Sequence, residues 1–337
     1  MTVAAREIHL KSRPSGTPGP DNFALVERTL PDLADGQLLA KALWMSVDPY
    51  MRGRMSDRPS YIAPFQLGQP LEGDTIGVVE ESRDDRFKPG DVVKHFFGWR
   101  DRAIVDATAA TRIDPAALPL PAWLGPLGIP GLTARAGLTH IAKLTEGETV
   151  FVSGAAGAVG SMAVQIAKIK GARVVASVGT DEKARWVKDE LGADAVINYK
   201  TAGNLTKALT EAAPKGIDVY FDNVGGDHLD AALAVANDFA RFAICGMIAQ
   251  YNDATPPPGP RNIAAVLVKR ITMRGYIILD HLDLVPLFNA EMIGWLKSGK
   301  VKSRDTIVEG LENAPKAFLG LFSGDNTGKM LVRIAEG

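Results

Sequence analysis

The chain has 337 residues, which is more than one ordinary hydrophobic core holds and predicts two domains that pack against each other. Its 38 basic and 39 acidic residues give a formal net charge of -1, so no positive surplus is available for a phosphate backbone and nucleic acid is not an expected partner. A single cysteine, Cys245, excludes an internal disulfide and a multi-cysteine zinc site, and it fits a reducing compartment.

The first part of the chain, up to about Leu120, has the pattern of a mostly β domain. Residues 1–16 carry charges and lack the apolar core of a signal peptide, so we expect a cytoplasmic protein. Further along, short apolar runs alternate with turn residues, as in 73–79 and 88–93.

An uncharged segment, Ala116 to Ala134, approaches the length of a membrane span. It contains four prolines, each of which removes a backbone donor and disfavours helix at the residue before it. The segment is therefore predicted to be an extended, buried connector, and no membrane segment is expected.

From about Thr149 onward, apolar runs alternate with helix-like segments, which is the pattern of a doubly wound parallel sheet. The runs are Thr149 to Val152, Arg173 to Val178, Ala195 to Ile197 and Ile217 to Phe221. After Val285 an amphipathic helix leads into Thr306-Ile307-Val308 and a last apolar run, Met330 to Ile334. Whether this tail rejoins the first domain does not follow from the pattern alone.

A small-residue turn, Ser153 to Gly160, follows the first of these runs and precedes a predicted helix. A dinucleotide pyrophosphate binds at such a turn, because the backbone must pass close to it and the first helical turn offers unpaired N–H groups. The usual pattern is Gly-x-Gly-x-x-Gly; here Ala155 takes the first glycine position, while Gly157 and Gly160 take the others. The alternative is that the glycines only allow tight packing of strand and helix. Apolar residues of the helix fall on one face and Gln165 is expected on the other.

The type of cofactor is indicated by the end of the next strand, where NAD-binding sites carry an acidic side chain for the ribose hydroxyls. No carboxylate ends the run Arg173 to Val178, and Asp181 is better interpreted as an early residue of the following helix. Lys183 could pair with the 2′-phosphate of NADP, or it could be a solvated surface lysine.

The sequence lacks the ligands of a zinc site, because no two of its five histidines have the spacing of metal ligands. Cys245 lies in the apolar run Arg241 to Met247 and is most simply a small buried core residue. A reductase without a metal must polarise its substrate with hydrogen-bond donors, which directs attention to tyrosines.

Several motifs together resemble the zinc-independent medium-chain dehydrogenase/reductases that include prostaglandin reductase, alkenal double-bond reductases and bacterial NADPH-dependent curcumin reductase. The resemblance covers essentially the whole chain and is closest to the curcumin reductase branch around Asp48 to Met55. Its motifs are Val47 to Met55, Gly131 to Ala134, Ala155 to Gly160, Phe221 to Gly226, Cys245-Gly246 with Tyr251-Asn252, and Gly324 to Lys329.

The resemblance implies an α/β fold in two domains. A GroES-like, mostly β substrate domain would span 1–125 and be completed by 300–337, and a Rossmann-type NADP-binding domain with a doubly wound parallel sheet would span 126–299. It also implies an active site in the cleft between the two domains, and a homodimer. The β-rich run Arg274 to Ile278 fits an edge strand that could pair across a twofold axis.

The resemblance further implies roles for individual residues. Gly157, Ala158, Val159 and Gly160 would contact the pyrophosphate, Lys183 and Tyr199 the 2′-phosphate end, and Asn223 the nucleotide along the carboxyl edge of the sheet. The nicotinamide half would be surrounded by Cys245, Gly246, Tyr251, Tyr276, Ile277, Ile278 and Asn326. Tyr251 is the first candidate for catalysis and Tyr50 the second.

Three of these positions have simpler interpretations from the sequence alone. Tyr251 could be a surface tyrosine, the segment Asp48-Pro49-Tyr50 could be only a turn, and Asn223 could cap the next helix or turn.

The predicted function is NADPH-dependent, metal-free reduction of the carbon–carbon double bond of α,β-unsaturated aldehydes or ketones, with Tyr251 stabilising the enolate. One alternative is an NADPH:quinone oxidoreductase. The other is a non-enzymatic protein that uses bound NADPH as a sensor.

Overall fold

The computed structural model describes residues 3–255 and 257–336, which form two compact units. The described residues within Met1–Leu124, Asp305–Asn326 and Met330–Gly337 make the first unit, and those within Gly125–Arg304 and Thr327–Lys329 make the second. The stretch 300–304, which the sequence assigned to the first domain, therefore lies in the second. A local reason is a pair of hydrogen bonds between Lys302 and Gln165. The backbone amide of Lys302 donates to the side-chain oxygen of Gln165 at 2.7 Å, and the side-chain amide of Gln165 donates to the backbone carbonyl of Lys302 at 2.9 Å.

The regular elements follow one another in chain order. The strands are β1 (Val3–Leu10), β2 (Phe23–Leu30), β3 (Gln37–Ser46), β4 (Thr75–Ser82), β5 (Val92–His95), β6 (Arg102–Asp106), β7 (Thr111–Arg112), β8 (Thr149–Val152), β9 (Arg173–Val178), β10 (Ala195–Asn198), β11 (Ile217–Asp222), β12 (Ala236–Ile244), β13 (Thr272–Gly275), β14 (Asp305–Glu309) and β15 (Lys329–Arg333). The α-helices are α1 (Met51–Arg54), α2 (Ile129–Ala136), α3 (Ala158–Ile169), α4 (Asp181–Arg185), α5 (Leu205–Ala212), α6 (Gly226–Val235), α7 (Ala264–Val268), α8 (Val285–Lys297) and α9 (Ala314–Ser323). Shorter helical turns lie at Pro20–Asn22, Ala107–Ala109, Leu120–Trp123, Gly137–Ile141, Trp186–Glu190, Ile248–Gln250, Ile278–Leu284 and Leu311–Asn313.

The first unit is built on a seven-stranded sheet in the order β14-β15-β3-β4-β5-β7, with β6 also paired to β3, and on the separate antiparallel pair β1-β2. Its core contains an aromatic cluster: Trp99 stacks on Phe23 with ring centroids 6.0 Å apart, and Phe318 meets Trp99 edge-on at 6.1 Å. Phe318 belongs to α9, so the C-terminal helix fills the same core as the N-terminal strands.

The second unit is built on a six-stranded sheet in the order β10-β9-β8-β11-β12-β13, with parallel pairing between all neighbours. Counted from β8, this order is 3-2-1-4-5-6, that of the dinucleotide-binding fold. The order reverses between β8 and β11, and ligands of such sheets bind in the crevice at the carboxyl ends of the strands there. The predicted α/β fold, with a mostly β unit and a Rossmann-type parallel sheet, is confirmed.

The prediction of an extended connector over Ala116 to Ala134 is wrong for its second half, where α2 begins at Ile129. Pro130 lies in the first turn of this helix, and a proline there removes an N–H that would have no intrahelical partner anyway. Within the described residues, helices long and apolar enough to cross a membrane are absent.

The sequence predicted that Gln165 lies on the face of α3 opposite its apolar residues, and this prediction is also wrong. This side chain is buried, and the hydrogen bonds to Lys302 satisfy its amide group inside the unit.

Candidate functional site

The predicted site residues of the second unit all lie at the carboxyl edge of its parallel sheet. Each group directly follows a strand or begins the helix after it. Ser153 to Gly160 follow β8, Lys183 follows β9, Tyr199 follows β10, Asn223 follows β11, Cys245 to Tyr251 follow β12, and Tyr276 to Ile278 follow β13. The fold therefore brings together residues that are far apart in the sequence.

The turn between β8 and α3 has the backbone shape of a phosphate-binding loop. Gly154 adopts a φ of +60°, and Gly157 is the N-cap of α3, so Ala158, Val159 and Gly160 form its first turn. A Cβ at Gly160 would lie 2.2 Å from the carbonyl oxygen of Gly154, which only glycine avoids. First-turn N–H groups of a helix lack intrahelical acceptors and point outward along the axis, so this cradle fits the pyrophosphate of a dinucleotide.

A short C-terminal segment joins this loop. The amide of Gly328 donates a hydrogen bond of 2.8 Å to the carbonyl of Ala156, and Gly328 forms an isolated β-bridge with Gly157. Gly328 has a φ of +71°, and a Cβ there would lie 1.7 Å from the carbonyl oxygen of Arg304. The sequence drew attention to Gly324 to Lys329 only as part of a family motif, and its pairing with the loop is a structural finding.

A buried carboxylate organises the point where the strand order reverses. Asp222, the last residue of β11, accepts hydrogen bonds at Oδ1 from the hydroxyls of Tyr220 (2.7 Å) and Ser153 (3.1 Å). The amides of Val224 and Gly225 also donate to this oxygen, at 2.9 and 2.8 Å. Burial raises the pKa of Asp222, against the hydrogen bonds that favour its charged form. The network fixes the turn after β11, where Gly225 adopts a φ of +72°.

Asn223 connects this turn with the end of β8. Its side-chain amide donates to the carbonyl of Ser153 at 2.7 Å, and its backbone amide donates to the Ser153 hydroxyl at 2.9 Å. The simpler interpretation, a cap for the next helix, does not describe these contacts, because they cross to the neighbouring strand.

The end of β9 lacks a carboxylate, as the sequence indicated. Thr180 is the N-cap of α4 and its hydroxyl accepts the amide of Lys183 at 3.2 Å. Asp181 is the first residue of α4, as predicted, and its carboxylate accepts a hydrogen bond of 2.7 Å from the side chain of Asn198. Tyr199 lies beside this turn, 39% exposed.

Cys245 and Gly246 continue the chain beyond β12, which ends at Ile244 rather than at Met247. Their amides both donate to the carbonyl of Asp222, at 2.9 Å. Burial raises the pKa of the Cys245 thiol to about 12 and also raises that of Tyr276, with which the thiol interacts. The Tyr276 hydroxyl donates to the carbonyl of Thr133 in α2 at 2.9 Å. A thiol with so high a pKa is a poor nucleophile. The prediction of a core position is wrong, however, because Cys245 is only partly buried just beyond the end of β12.

Tyr251, the first catalytic candidate, follows the helical turn Ile248–Gln250 and folds back over the end of β12. Its hydroxyl accepts a hydrogen bond of 3.2 Å from the amide of Met247 and lies 3.1 Å from where a Cβ of Gly246 would stand. The residue is partly buried and does not have the fully exposed position of an ordinary surface tyrosine. Ile277 and Ile278 are partly buried where the chain leaves β13.

Two predicted residues belong to the first unit. Tyr50 directly precedes α1 and packs against the aromatic core, and burial, with Asp48 and Asp74 nearby, raises its pKa well above the ordinary value. Asn326 directly precedes Thr327, the first residue of the segment that joins the second unit.

No group of three or more histidine, cysteine or carboxylate side chains is placed to hold a metal ion within 3–255 and 257–336.

Two family models match the chain. One, described as the N-terminal domain of oxidoreductase, matches residues 6–113, and the other, described as zinc-binding dehydrogenase, matches residues 158–292.

Two full-length relatives are similar over nearly the whole chain. The NADPH-dependent curcumin reductase of Escherichia coli (strain K12) is 42% identical over 332 residues, which cover 97% of this chain and 96% of the relative. The 2-alkenal reductase (NADP(+)-dependent) of Nicotiana tabacum is 39% identical over 340 residues, 99% of this chain and 98% of the relative.

The crystal structure of CurA in complex with NADPH from Vibrio vulnificus has a TM-score of 0.93 and 42% identity to this chain. The match covers 98% of this chain and all of that one. The chain therefore belongs to the medium-chain dehydrogenase/reductase family, in the group that contains curcumin reductase, prostaglandin reductase and 2-alkenal reductase.

Proposed function

We propose that this protein is an NADPH-dependent reductase of carbon–carbon double bonds conjugated to a carbonyl group, in α,β-unsaturated aldehydes and ketones. The observation that carries the proposal is the glycine loop between β8 and α3, at the reversal point of a 3-2-1-4-5-6 sheet. The names of the relatives, curcumin reductase and 2-alkenal reductase, support the substrate class. Both names describe compounds in which a double bond is conjugated to a carbonyl.

The chain's own residues would hold the dinucleotide along the carboxyl edge of the sheet. The first turn of α3 would receive the pyrophosphate, and Lys183 and Tyr199 would receive the 2′-phosphate end. Asn223 would line the middle of the nucleotide, and Cys245, Gly246, Tyr276, Ile277, Ile278 and Asn326 would surround the nicotinamide half. NADPH, when bound, supplies the hydride that the β-carbon of the substrate receives.

Tyr251 is the proposed hydrogen-bond donor to the substrate carbonyl oxygen. That oxygen gains negative charge as the β-carbon is reduced, and a positioned hydroxyl stabilises the resulting enolate. The amide of Met247, which donates to the Tyr251 hydroxyl, polarises it further as a donor. Tyr50 is the second candidate for contact with the substrate.

The test is a panel of 2-alkenals, enones and quinones assayed with NADPH, with the products analysed by mass spectrometry. We expect saturated products with an intact carbonyl group. Faster turnover of quinones than of every alkenal and enone would favour a quinone oxidoreductase instead. Tight NADPH binding without consumption on any of these compounds would favour a sensor.

The chemistry is also proposed to need no metal, because hydrogen-bond donors take over the polarisation of the carbonyl. Full activity after dialysis against a strong chelator is the expected result. Activity that disappears with the chelator and returns with zinc would overturn this part of the proposal.

We further propose a homodimer formed through β13, which is the terminal strand of the parallel sheet. This strand ends at Gly275, so only the first two residues of the predicted edge strand Arg274 to Ile278 belong to it. A terminal strand can pair with a second copy of itself across a twofold axis. Large apolar side chains lie exposed nearby on α7, Leu267 at 81% and Val268 at 67%. Light scattering should give twice the monomer mass, and Leu267→Glu should shift it toward the monomer; a monomeric wild-type protein would contradict the proposal.

A further inference from the structure

The side chain of Tyr199 takes up the space next to Gly179. Gly179 follows β9 directly, and Tyr199 follows β10, the strand beside it in the sheet. A Cβ at position 179 would lie 3.2 Å from the hydroxyl of Tyr199 and 3.4 Å from its ring carbon Cε1. The 3.2 Å distance is tighter than most Cβ contacts in proteins and the 3.4 Å distance is at the limit of ordinary contact, so a side chain at 179 would press on the hydroxyl end of Tyr199; the Cε of Lys200 also lies 3.4 Å away.

Position 179 matters because it lies where dinucleotide-binding folds select their cofactor. NAD-specific sites place a carboxylate at the end of this strand, where it binds the ribose hydroxyls. In this chain Tyr199 crowds the space that such a carboxylate would need. The chain has glycine at 179, so no carboxylate there repels a 2′-phosphate, and the hydroxyl of Tyr199 is a polar group beside that position.

Tyr199 rests in turn on a buried histidine. His228, the third residue of α6, is only 4% exposed, and its ring meets that of Tyr199 edge-on with centroids 4.9 Å apart. The His228 ring also lies nearly parallel to that of Phe151, at 6.4 Å and 11°. Phe151 is fully buried in β8 and stacks on Tyr220 at 5.2 Å. His228 therefore links the partly exposed tyrosine to the rigid centre of the sheet.

The contacts of His228 are van der Waals contacts of its ring and involve no charge. Burial lowers its pKa to about 4, so the imidazole is neutral at neutral pH. Its buried Nε2 has no hydrogen-bond partner in the described part of the chain, so the observed contacts are those of a flat ring. A phenyl ring could make them too, whereas an alanine would leave a cavity beneath Tyr199.

We propose that His228 is a positioning residue for cofactor selectivity: it holds Tyr199 beside Gly179 and so keeps the nucleotide site specific for NADPH. The inference rests on the proposed NADPH dependence and adds a residue that would act through Tyr199 without touching the nucleotide.

The test compares His228→Ala with the conservative variant His228→Phe. Dissociation constants for NADPH and NADH are measured by nucleotide fluorescence, together with thermal unfolding and the separate values of KM and kcat. Because alanine has no ring to support Tyr199, His228→Ala should weaken NADPH binding by about 3- to 10-fold and lower the NADPH/NADH preference, with kcat at saturation nearly unchanged. His228→Phe should restore the preference of the wild type to within about 2-fold.

A matched control is Leu233→Ala, a fully buried residue of the same helix that packs in the sheet core. It should lower the unfolding temperature and leave the cofactor preference unchanged. If His228→Ala behaves in the same way, the inference is overturned while the proposed function stands. If the wild type shows no preference for NADPH, the proposed function fails and this inference fails with it.

A second pair of variants tests the geometry even if His228→Ala does not fold. Gly179→Asp should weaken NADPH binding without improving NADH binding, because Tyr199 crowds the new side chain. Combined with Tyr199→Ala, the same substitution should improve NADH binding by about 5-fold or more. NADH binding that improves equally in the single variant would overturn the inference.

Discussion

The side-chain amide of Asn223 donates a 2.7 Å hydrogen bond to the main-chain carbonyl of Ser153 and thereby joins the loops that follow β11 and β8. These loops flank the point where the order of the parallel sheet reverses. The shape of the proposed nucleotide site therefore depends on a contact between residues 70 positions apart.

Removing this hydrogen bond should weaken nucleotide binding more than it weakens the fold. We expect Asn223→Ala to raise the dissociation constant of NADPH by about 2- to 12-fold, the usual range for one hydrogen bond. Titration with NADPH measures this. Asn237→Ala is the matched control, because that amide makes an equally short bond, 2.7 Å to Asp218, close to the amino ends of β11 and β12. An equal loss of affinity in both variants would contradict the assigned role of Asn223.

Tyr251→Phe should slow turnover of a 2-alkenal by about 10²-fold, because the enolate loses a positioned donor. The dissociation constant of NADPH should stay close to that of the wild type, since the variant keeps the ring. Steady-state and single-turnover rates at saturating NADPH provide the measurement. A variant as fast as the wild type would remove Tyr251 from the mechanism.

Lys183→Ala should cost roughly 1.5–3 kcal/mol of NADPH binding, the range for a charge-assisted hydrogen bond, with little effect on NADH. Calorimetric titration with both nucleotides compares the two losses. Lys215→Ala, at an exposed position just before the amino end of β11, serves as a control for the loss of one positive charge. Equal weakening of NADPH and NADH would argue against a 2′-phosphate contact.

The free energy of unfolding should fall in mild acid, and buried His95 in the first unit contributes to this fall, as does buried His228 in the second. Burial, with Arg100 adding to the effect, lowers the pKa of His95 to about 3. The unfolded chain takes up a proton near pH 6.5, whereas the folded chain resists it until about pH 3. The folded state is therefore favoured fully above pH 6.5 and loses free energy of unfolding as the pH falls from 6.5 toward 3.

His95→Phe should reduce this dependence on pH, although the variant also loses the imidazole acceptor for the amide of Phe97, 3.1 Å away. Denaturant unfolding at pH 7 and at pH 4.5 measures, for each protein, the difference in the free energy of unfolding between the two pH values. His140→Phe, at an exposed position, is the control and should retain the wild-type difference. An unchanged difference in His95→Phe would show that this histidine is not responsible.

Periodicity was sufficient to predict the parallel sheet because its strands are apolar and covered on both faces. The runs Thr149–Val152 and Arg173–Val178 coincide with β8 and β9 residue for residue. The prediction of a connector up to Ala134 failed from Ile129 onward, where proline was interpreted as a helix breaker although it stands in the first turn of α2.

The glycine loop was predictable from the sequence for a similar reason, since local geometry alone restricts its residues. The network around Asp222 was not, because a pattern of residue types does not show which polar side chain is buried or what it meets. Ser153 and Asp222 are 69 positions apart, and only the sheet order brings them together. The roles of Tyr251, Lys183, Tyr199 and Asn223 are predictions that the variants above test, and the role of Tyr50 stays a prediction.

The hydrogen bond from Gly328 to Ala156 belongs to the second unit, which is built from two separate segments of the chain. A fragment cut at Gly125 and Arg304 would contain all six parallel strands and the glycine loop, yet it would lack the bridge partner of Gly157. Transplanting this unit into another protein would therefore require two separate pieces of coding sequence. Shortening the chain before Gly328 would remove the amide that binds the carbonyl of Ala156, even if the remaining protein folded.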